Sequence, residues 1–312
     1  MTPKKGESEL TLPDPPEYFT NQHLAIDHIR EEFALNHPSF VLLRGQRDIG
    51  KTALIRQLSR LLSAEGVQVA GIDARNNRLQ GPKDLIKVLL QPLSSQPWKF
   101  LRKLVPVTRL NNPAIQGGVI LGSRLSFQQG GSDDASILNL LDKIDLISGY
   151  TQEDLAAAFV QDLVLQHGCQ RITLLVDHLE DLTDSICHFL SDSLYLELKK
   201  NRLAQFNILV AVSDTIDGGK HQAVSNTVNK LESRCSCELV LPSFDECATS
   251  EFISRFLLRP ASSVMTRRFL VQTGGVPGVM DTKIRHMIEA NPQLLMASDQ
   301  LILRLEGGSR DE

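Results

Sequence analysis

The stretch that decides the fold is SFVLLR (Ser39–Arg44), followed directly by GQRDIGKT (Gly45–Thr52). The first part is an uninterrupted apolar run, typical of a strand that is buried on both faces. The second part fits the pattern G-x-x-x-x-G-K-[ST], and the leucines that follow it recur at helical spacing. A buried strand, a glycine-containing loop and an amphipathic helix in this order predict a phosphate-binding loop.

Each residue type in this loop has a physical role in holding phosphate. Gly45 and Gly50 allow the loop to wrap so that backbone N–H groups point inward, and the helix that starts near Lys51 adds its positive dipole end. Lys51 supplies a charge for the β- and γ-phosphates, and the Thr52 hydroxyl is placed to bind Mg²⁺. We predict nucleotide contacts along the whole segment: Gly45, Gln46, Arg47, Asp48, Ile49, Gly50, Lys51, Thr52 and Ala53.

A second apolar strand ends in an acidic cluster. The run RITLLV (Arg171–Val176) is followed by Asp177, and Glu180 and Asp181 come shortly after it. Sites in α/β proteins are built at the carboxyl ends of parallel strands, where this charge begins. We predict that Asp177 is the Mg²⁺-linked carboxylate, and that Glu180 or Asp181 orients or deprotonates the attacking water. An acidic residue that merely ends a strand is the alternative interpretation.

The order of patterns divides the chain into segments. Residues 1–17 are polar and proline-rich, which indicates a flexible leader. Strand and helix patterns alternate over residues 18–242, with a glycine-rich insertion at about 94–150, and only helix patterns follow over 243–305, before a tail at 306–312. This arrangement predicts an α/β fold, a three-layer P-loop NTPase with a parallel sheet, followed by a small all-helical domain that closes over the nucleotide.

The sequence separation of Lys51 and Asp177 is long for two neighbouring elements of one sheet. We therefore expect the chain between them to form an insertion, and we interpret that insertion as a surface for a partner protein. A fourth strand pattern, FNILVAV, ends in Ser213 and Asp214. A polar side chain there could contact the γ-phosphate or the attacking water, although a plain strand end followed by a turn explains the pattern equally well.

Composition argues against several classes of partner. The 312 residues include 33 Lys and Arg against 37 Asp and Glu, a net charge of −4, whereas nucleic-acid binders usually carry a basic excess. The sequence has no run of about 18 apolar residues that could span a membrane, and its first residues lack an apolar signal-peptide region. We expect a cytoplasmic protein with no membrane partner, and we do not expect a nucleic-acid partner.

Cysteine usage points in the same direction. The chain has 5 cysteines, and Cys235 and Cys237 form a C-x-C pair without the second pair that a zinc site needs. We therefore expect buried or inert thiols in a reducing compartment.

Together these motifs resemble a known family. The P-loop, the acidic segment LLVDHLED, the stretch LVLPSFDECATSEFISRF and the later TGGVPGVM are similar to the signal-transduction ATPases with numerous domains (STAND, the NACHT and NB-ARC class), and to archaeal-type ATPases of the AAA superfamily. The resemblance covers about residues 18–290. It implies ATP or ADP as the bound nucleotide, Mg²⁺ as the metal, and Pro277 as a contact of the adenine base.

The chain departs from this family at two positions. His178 follows Asp177 where typical AAA ATPases have a glutamate, so fast hydrolysis by that route is not expected. The fourth strand ends in Ser-Asp-Thr where the family often has Thr-Ser-Arg, so the sensor arginine is missing at that position. Arg234 could supply an arginine contact, either within the chain or to a neighbouring copy.

The sequence therefore predicts a Mg²⁺-dependent ATP-binding protein that hydrolyses ATP slowly and acts as a nucleotide-controlled switch. Its output would pass to a partner protein or to self-association into a homo-oligomer, because no effector domain or repeat array is recognisable. Two alternatives stay open. One is an interaction module that keeps ADP or ATP bound without hydrolysis, and the other, disfavoured by charge, is an ATPase that loads onto nucleic acid.

Overall fold

The computed structural model describes residues 22–76, 79–90, 100–101, 104, 150–166, 171–214, 228–257 and 259–290. The predicted leader, the predicted tail and nearly all of the insertion predicted at 94–150 lie outside these residues. In the part of the chain that is described, no helix is long and apolar enough to cross a membrane.

Strands and helices alternate along the first part of the described chain. The strands are β1 (Ser39–Arg44), β2 (Gln68–Asp73), β3 (Ile172–Asp177), β4 (Phe206–Ala211) and β5 (Cys237–Val240). The helices among them are α1 (His23–Phe33), α2 (Lys51–Ala64), α3 (Pro82–Leu90), α4 (Gln152–Gln166), α5 (Asp184–His188) and α6 (Tyr195–Lys200), the last two joined by a π-helical turn (Phe189–Leu194). The described residues after β5 form the helices α7 (Glu246–Leu257), α8 (Ser263–Thr273) and α9 (Pro277–Ala290).

The five strands form one parallel sheet in the order β2-β3-β4-β1-β5. Strand β1 lies between β4 and β5, with Val41 opposite Leu209 on one side and Cys237 on the other. The apolar runs of β1, β3 and β4 are buried along almost their whole length, as expected for strands covered by helices on both faces. The predicted α/β fold with a parallel sheet is confirmed.

Strand order corrects one expectation. Strands β1 and β3, which precede Lys51 and end at Asp177, are not neighbours, because β4 lies between them and pairs with both. Part of the chain between them forms β2, α3 and α4 of the main fold. Their long sequence separation is therefore no evidence for an insertion. The order also places the end of β4, with Ser213 after it, between the loop and Asp177.

Hydrophobic cores fill both sides of the sheet. Val41 and Leu43 of β1 pack with α1 and α2 on one side, whereas Phe40 and Leu42 pack with α3, α4 and α6 on the other. Side chains of a strand alternate between faces, so one apolar run supplies both cores. A separate cluster holds α7, α8 and α9 together through residues that include Phe252, Phe269, Met280 and Ile284.

Cys235 and Cys237 pack against different cores. Cys235 packs against the core on the α3 side, whereas Cys237 packs against the core on the α1 side. No group of three or more His, Cys, Asp or Glu side chains in the described segments is placed to hold a metal ion. Burial raises the pKa of the Cys187 thiol to about 12, as expected for an inert thiol, but Cys247 is exposed.

Candidate functional site

A cavity of about 540 Å³ opens at the carboxyl ends of the strands, beneath the start of α9. Its walls come from the P-loop and α2, from the ends of β2, β3 and β4, and from the helical segment. The lining includes Gln22, Arg47, Asp48, Gly50, Lys51, Thr52, Ala53, Asp73, Arg75, His178, Glu180, Ser213, Phe244, Phe252, Pro277 and Gly278. A cavity of this size has room for a small ligand, since such sites commonly measure about 300–1,000 Å³.

The structure brings most of the predicted residues to this cavity and leaves others outside its lining. Glu180 and Pro277 line it together with the loop from Arg47 to Ala53, except for Ile49, which is buried in the core. Gly45 and Gln46 are not among its lining residues: their carbonyls accept from Lys51 Nζ, and the Gln46 side chain donates from Nε2 to Ser243 Oγ at 3.0 Å. Asp177 lies buried at the end of β3, and Asp181 is not part of the lining.

The loop before α2 has the backbone shape of an anion cradle. Gly50 has a φ of +101°, and Asp48, which carries a side chain, has a φ of +63°. A Cβ atom at Gly50 would lie 3.0 Å from Gln22 Nε2, whose own partner is the Ile49 carbonyl at 3.1 Å. Helix α2 begins at the next residue, so its first N–H groups and its positive dipole end face the cavity.

Lys51 is buried and turned back onto its own loop. Its Nζ donates to the carbonyls of Gly45 at 2.7 Å and Gln46 at 2.8 Å, and the residue is only 8% exposed. Burial lowers the pKa of Lys51, and the negative charges of Glu180 and Asp177 oppose this shift without cancelling it. Among the described residues no carboxylate lies within ion-pair distance of this ammonium group, and an anion in the cavity would provide a partner.

Asp177 presents a buried carboxylate oxygen that is not fully used. One oxygen, Oδ1, accepts from the His178 N–H at 3.0 Å. The other, Oδ2, has no hydrogen-bond partner among the described residues and lies 3.5 Å from His178 Nδ1. The residue is 1% exposed, and a buried charge without full pairing is costly. This oxygen is suited to a cation or to a water bound to one.

The two acidic alternatives after Asp177 occupy different places. Glu180 faces the cavity and accepts from the Ser213 N–H at 3.3 Å. Asp181 instead accepts from Arg75 Nε at 3.2 Å. Arg75 also approaches Glu180, with 3.9 Å between its Nη2 and Glu180 Oε1. Glu180 is therefore the better placed of the two to meet a water molecule in the cavity.

Sequence reasoning missed a second buried carboxylate, Asp73, at the end of β2. It lies opposite Asp177 in the β2–β3 register, and its Oδ1 is 3.1 Å from Nδ1 of His178. His178 itself has a φ of +59°, a left-handed backbone that turns its ring toward Asp73. The run VQVAGID, an apolar strand that ends in an acidic residue, is the same signal that identified Asp177.

The turn between α8 and α9 contacts the P-loop directly. The Gly278 N–H donates to the Asp48 carbonyl at 2.9 Å, and the Phe244 N–H donates to the Gly275 carbonyl at 2.8 Å. The segment GGVPG is therefore more than a link between two helices. It attaches the helical segment to the loop before α2, and Pro277 lines the cavity beside it.

Gly275→Ala is expected to destabilise the protein far more than Gly274→Ala. Both glycines have positive φ, +73° and +61°, so either alanine should cost about 1–2 kcal/mol of backbone strain. A Cβ at Gly275 would also lie 2.3 Å from the Phe244 carbonyl oxygen, whereas nothing lies within 4 Å of one at Gly274. Overpacking should cost Gly275→Ala a further ~1–3 kcal/mol.

Urea unfolding of the wild type and the two variants measures this difference. Equal losses in the free energy of unfolding would show that the turn does not pack tightly on the segment before α7.

Arg234 does not reach the cavity of its own chain. It precedes β5, at the amino ends of the parallel strands and so away from the cavity at their carboxyl ends. Its Nη2 lies 2.6 Å from Asp192 Oδ1. A contact within the chain is therefore not supported, and a contact to a neighbouring copy stays a prediction.

Comparison with known proteins identifies the fold. The ORC2 protein of Aeropyrum pernix, solved as ADPNP-ADP complexes, matches with a TM-score of 0.50 and 13% identity over 95% of this chain and 69% of that chain. Its ADP form matches with a TM-score of 0.50 and 13% identity, over 95% and 70%. This chain has a P-loop NTPase fold.

The likeness is one of fold, because it comes with little sequence identity. CDC6P from Pyrobaculum aerophilum gives a TM-score of 0.49 and 12% identity over 91% of this chain and 65% of that chain. No protein-family model matches the sequence, and a search of curated proteins found no match. The P-loop NTPase fold places the cavity at the carboxyl ends of its strands.

Proposed function

We propose that this chain is a slow, Mg²⁺-dependent ATPase that binds ATP or ADP in the cavity and acts as a nucleotide-controlled switch. The observation that carries the proposal is the convergence on one cavity of the P-loop, Glu180 and Pro277, with the buried Asp177 at the end of β3. Its fold is also similar to that of a protein solved with ADPNP and ADP.

The phosphate end of the cavity fits a nucleotide. The start of α2 offers backbone N–H groups, and the Lys51 ammonium could exchange two neutral carbonyl partners for phosphate oxygens. That exchange would recover part of the desolvation that lowers the pKa of Lys51. A triphosphate would therefore be held by one buried cation and by backbone dipoles.

The residues present also fit Mg²⁺. Thr52 lines the cavity, and we assign its hydroxyl as a direct ligand, with Asp177 Oδ2 holding a water of the metal shell. Such a site needs few protein ligands, since Mg²⁺ keeps several waters when it binds phosphates. When bound, the metal would neutralise charge that develops on the phosphate oxygens.

Hydrolysis would depend on Glu180. Its carboxylate faces the cavity and is oriented by the N–H of Ser213, so it could hold a water and accept its proton. Nη2 of Arg75 lies 3.9 Å from Oε1 of the same carboxylate and competes with a water molecule for it. This restraint, together with His178 where typical AAA ATPases carry glutamate, is consistent with slow turnover.

The apolar part of the cavity lining fits the base. Phe244, Phe252 and Pro277 present apolar surface there, and we propose that the adenine ring packs against Pro277. The Asp48 carbonyl accepts a hydrogen bond from the Gly278 N–H. A change in the conformation of the phosphate loop would therefore be transmitted to α9 through this hydrogen bond. We propose this link as the route by which nucleotide state changes the packing of the helical segment.

The finer assignments belong to the same proposal. We place the chain in the STAND-like branch of P-loop ATPases, in the cytoplasm, with a partner protein or a second copy of itself receiving the signal. We do not propose a nucleic-acid partner. Turnover stimulated by DNA, with a steep dependence on salt, would contradict that choice.

A second candidate function has specific support. The engagement of Glu180 by Ser213 and Arg75 also suits an interaction module in which ADP or ATP stays bound and has a structural role. Such a module would retain nucleotide through purification and release no phosphate.

The deciding experiment is mass spectrometry of the nucleotide that co-purifies with the protein, together with native mass and a phosphate-release assay. An adenine nucleotide with slow, Mg²⁺-dependent release supports the switch. Retained ADP without release supports the structural module, and a protein that neither retains nor binds ATP or ADP would contradict both.

A further inference from the structure

A second cavity lies at the amino ends of the strands, where β3 and β4 begin. It measures about 430 Å³ and is covered by the last turns of α1 and α2. We call it the basal cavity, and its lining includes Phe33, Leu62, Arg171, Thr173 and Asn207. The basal cavity shares no described lining residue with the nucleotide cavity, so the proposed function does not account for it.

The floor of the basal cavity is polar where a core is normally apolar. Thr173 and Asn207 are opposite each other in the β3–β4 register, and they are 0% and 2% exposed. Thr173 Oγ1 and Asn207 Oδ1 are buried without a hydrogen-bond partner among the described residues. Two such groups side by side destabilise the fold unless something binds them.

The floor offers hydrogen-bond acceptors. Asn207 Nδ2 donates to the Phe33 carbonyl at 3.5 Å. This contact orients the amide, and Oδ1 is then the atom that has no hydrogen-bond partner among the described residues. An amide oxygen accepts and cannot donate, and the Thr173 hydroxyl can accept as well. The group that completes this floor must therefore carry N–H or O–H donors.

The charge around the basal cavity favours a cation. Helices α1 and α2 both end there, and the carbonyls at a helix C-terminus carry partial negative charge. The rim has three carboxylates, Asp27, Glu31 and Glu65, and two arginines, Arg30 and Arg171. Arg30 is paired with Glu65, at 2.5 Å between Nη2 and Oε1, and its Nη1 lies 3.9 Å from Asp27 Oδ1, so Glu31 is the rim carboxylate that Arg30 does not engage.

We propose that the basal cavity binds a small organic cation through a primary ammonium group. The ammonium has three donors, which would reach Asn207 Oδ1, Thr173 Oγ1 and a rim carboxylate. A single water occupies only about 30 Å³, far less than this cavity, so its volume fits a ligand with an alkyl chain. The chemistry could come from a free diamine, from a cationic amino acid, or from a lysine side chain of another protein.

Calorimetric titration of the whole chain with 1,4-diaminobutane and L-lysine tests the proposal, with butane-1,4-diol as the neutral control of matched length. Saturable binding of at least one amine is expected, with no binding of the diol. Adding Nα-acetyl-L-lysine-N-methylamide distinguishes the sources. If it binds as well as L-lysine, the site accepts a lysine side chain, and if it does not, a free amine is the ligand.

Thr173→Val is the decisive variant, because it removes the hydroxyl with almost no change in shape. Amine affinity should fall by about tenfold, the effect of one hydrogen bond to a charged group, while the melting temperature stays equal or rises. Ser39→Ala is the matched control, since Ser39 lies beside Asn207 in the β1–β4 register, but its hydroxyl already donates to the Glu32 carbonyl at 2.8 Å.

Ser39→Ala should therefore lower stability and leave amine affinity unchanged. Failure of every amine to bind the wild type overturns the proposal. Unchanged amine affinity in Thr173→Val overturns it as well. ATP binding should remain normal in both variants, so this test is independent of the proposed function.

Discussion

Lys51→Ala is expected to lower the affinity for ATP by about 100-fold, equivalent to ~2.7 kcal/mol. Lys51 is the buried cation at the start of α2. Hydrogen bonds to the carbonyls of Gly45 and Gln46 hold its ammonium group against the loop. Hydrogen bonds to charged groups contribute about 1.5–3 kcal/mol each, and a phosphate would offer this ammonium more than one oxygen. The variant loses these interactions and the charge together.

The affinity is measured by titration with a non-hydrolysable ATP analogue in the presence of Mg²⁺. Lys200→Ala is the matched control, because Lys200 is 72% exposed and pairs with Glu197 on α6. It should bind as the wild type does. Thermal unfolding of both variants should be nearly unchanged, since Lys51→Ala also removes a desolvated charge. A Lys51→Ala protein that binds within about threefold of the wild type would contradict the proposed site.

Glu180→Gln is expected to lower kcat for ATP by about 100-fold or more, the effect of losing a general base, while ATP still binds. Glutamine keeps the size of the side chain and can still accept from the Ser213 N–H. It cannot take a proton from water, so the variant should hold ATP in the unhydrolysed state. Single-turnover phosphate release, measured beside nucleotide affinity, separates the two effects.

Asp181→Asn is the control for this experiment. Asp181 pairs with Arg75 and does not line the cavity, so its kcat should change by no more than about twofold. Normal hydrolysis by Glu180→Gln would show that Glu180 is not the base. A large loss in Asp181→Asn with none in Glu180→Gln would reverse the two assignments.

The sequence was sufficient for those parts of the fold that depend on local patterns. The strand β1, the loop and helix α2 follow one another directly, so the apolar run, the glycines and the leucine spacing of Ser39–Ala64 predict them without tertiary information. The same holds for β3, whose apolar run ends at Asp177. The predicted parallel sheet follows from the alternation of strands and helices.

Other features depend on contacts that no local pattern records. The position of β4 between β1 and β3 is set by pairing between distant segments. The choice between Glu180 and Asp181 depends on how the short helical turn after His178 directs each side chain. Gln22 and Gly278 reach the loop from far away in the sequence, so their roles emerge only after folding.

The bond between Gly278 and Asp48 also affects how fragments of this protein should be prepared. A fragment that ends before α7 would lack the N–H that holds the Asp48 carbonyl, in a residue whose φ of +63° is unusual for a side-chain-bearing amino acid. Its loop would be free to relax to another shape. Ligand screening on such a fragment would report on a different pocket, so expression boundaries should extend through α9, to Ala290 or beyond.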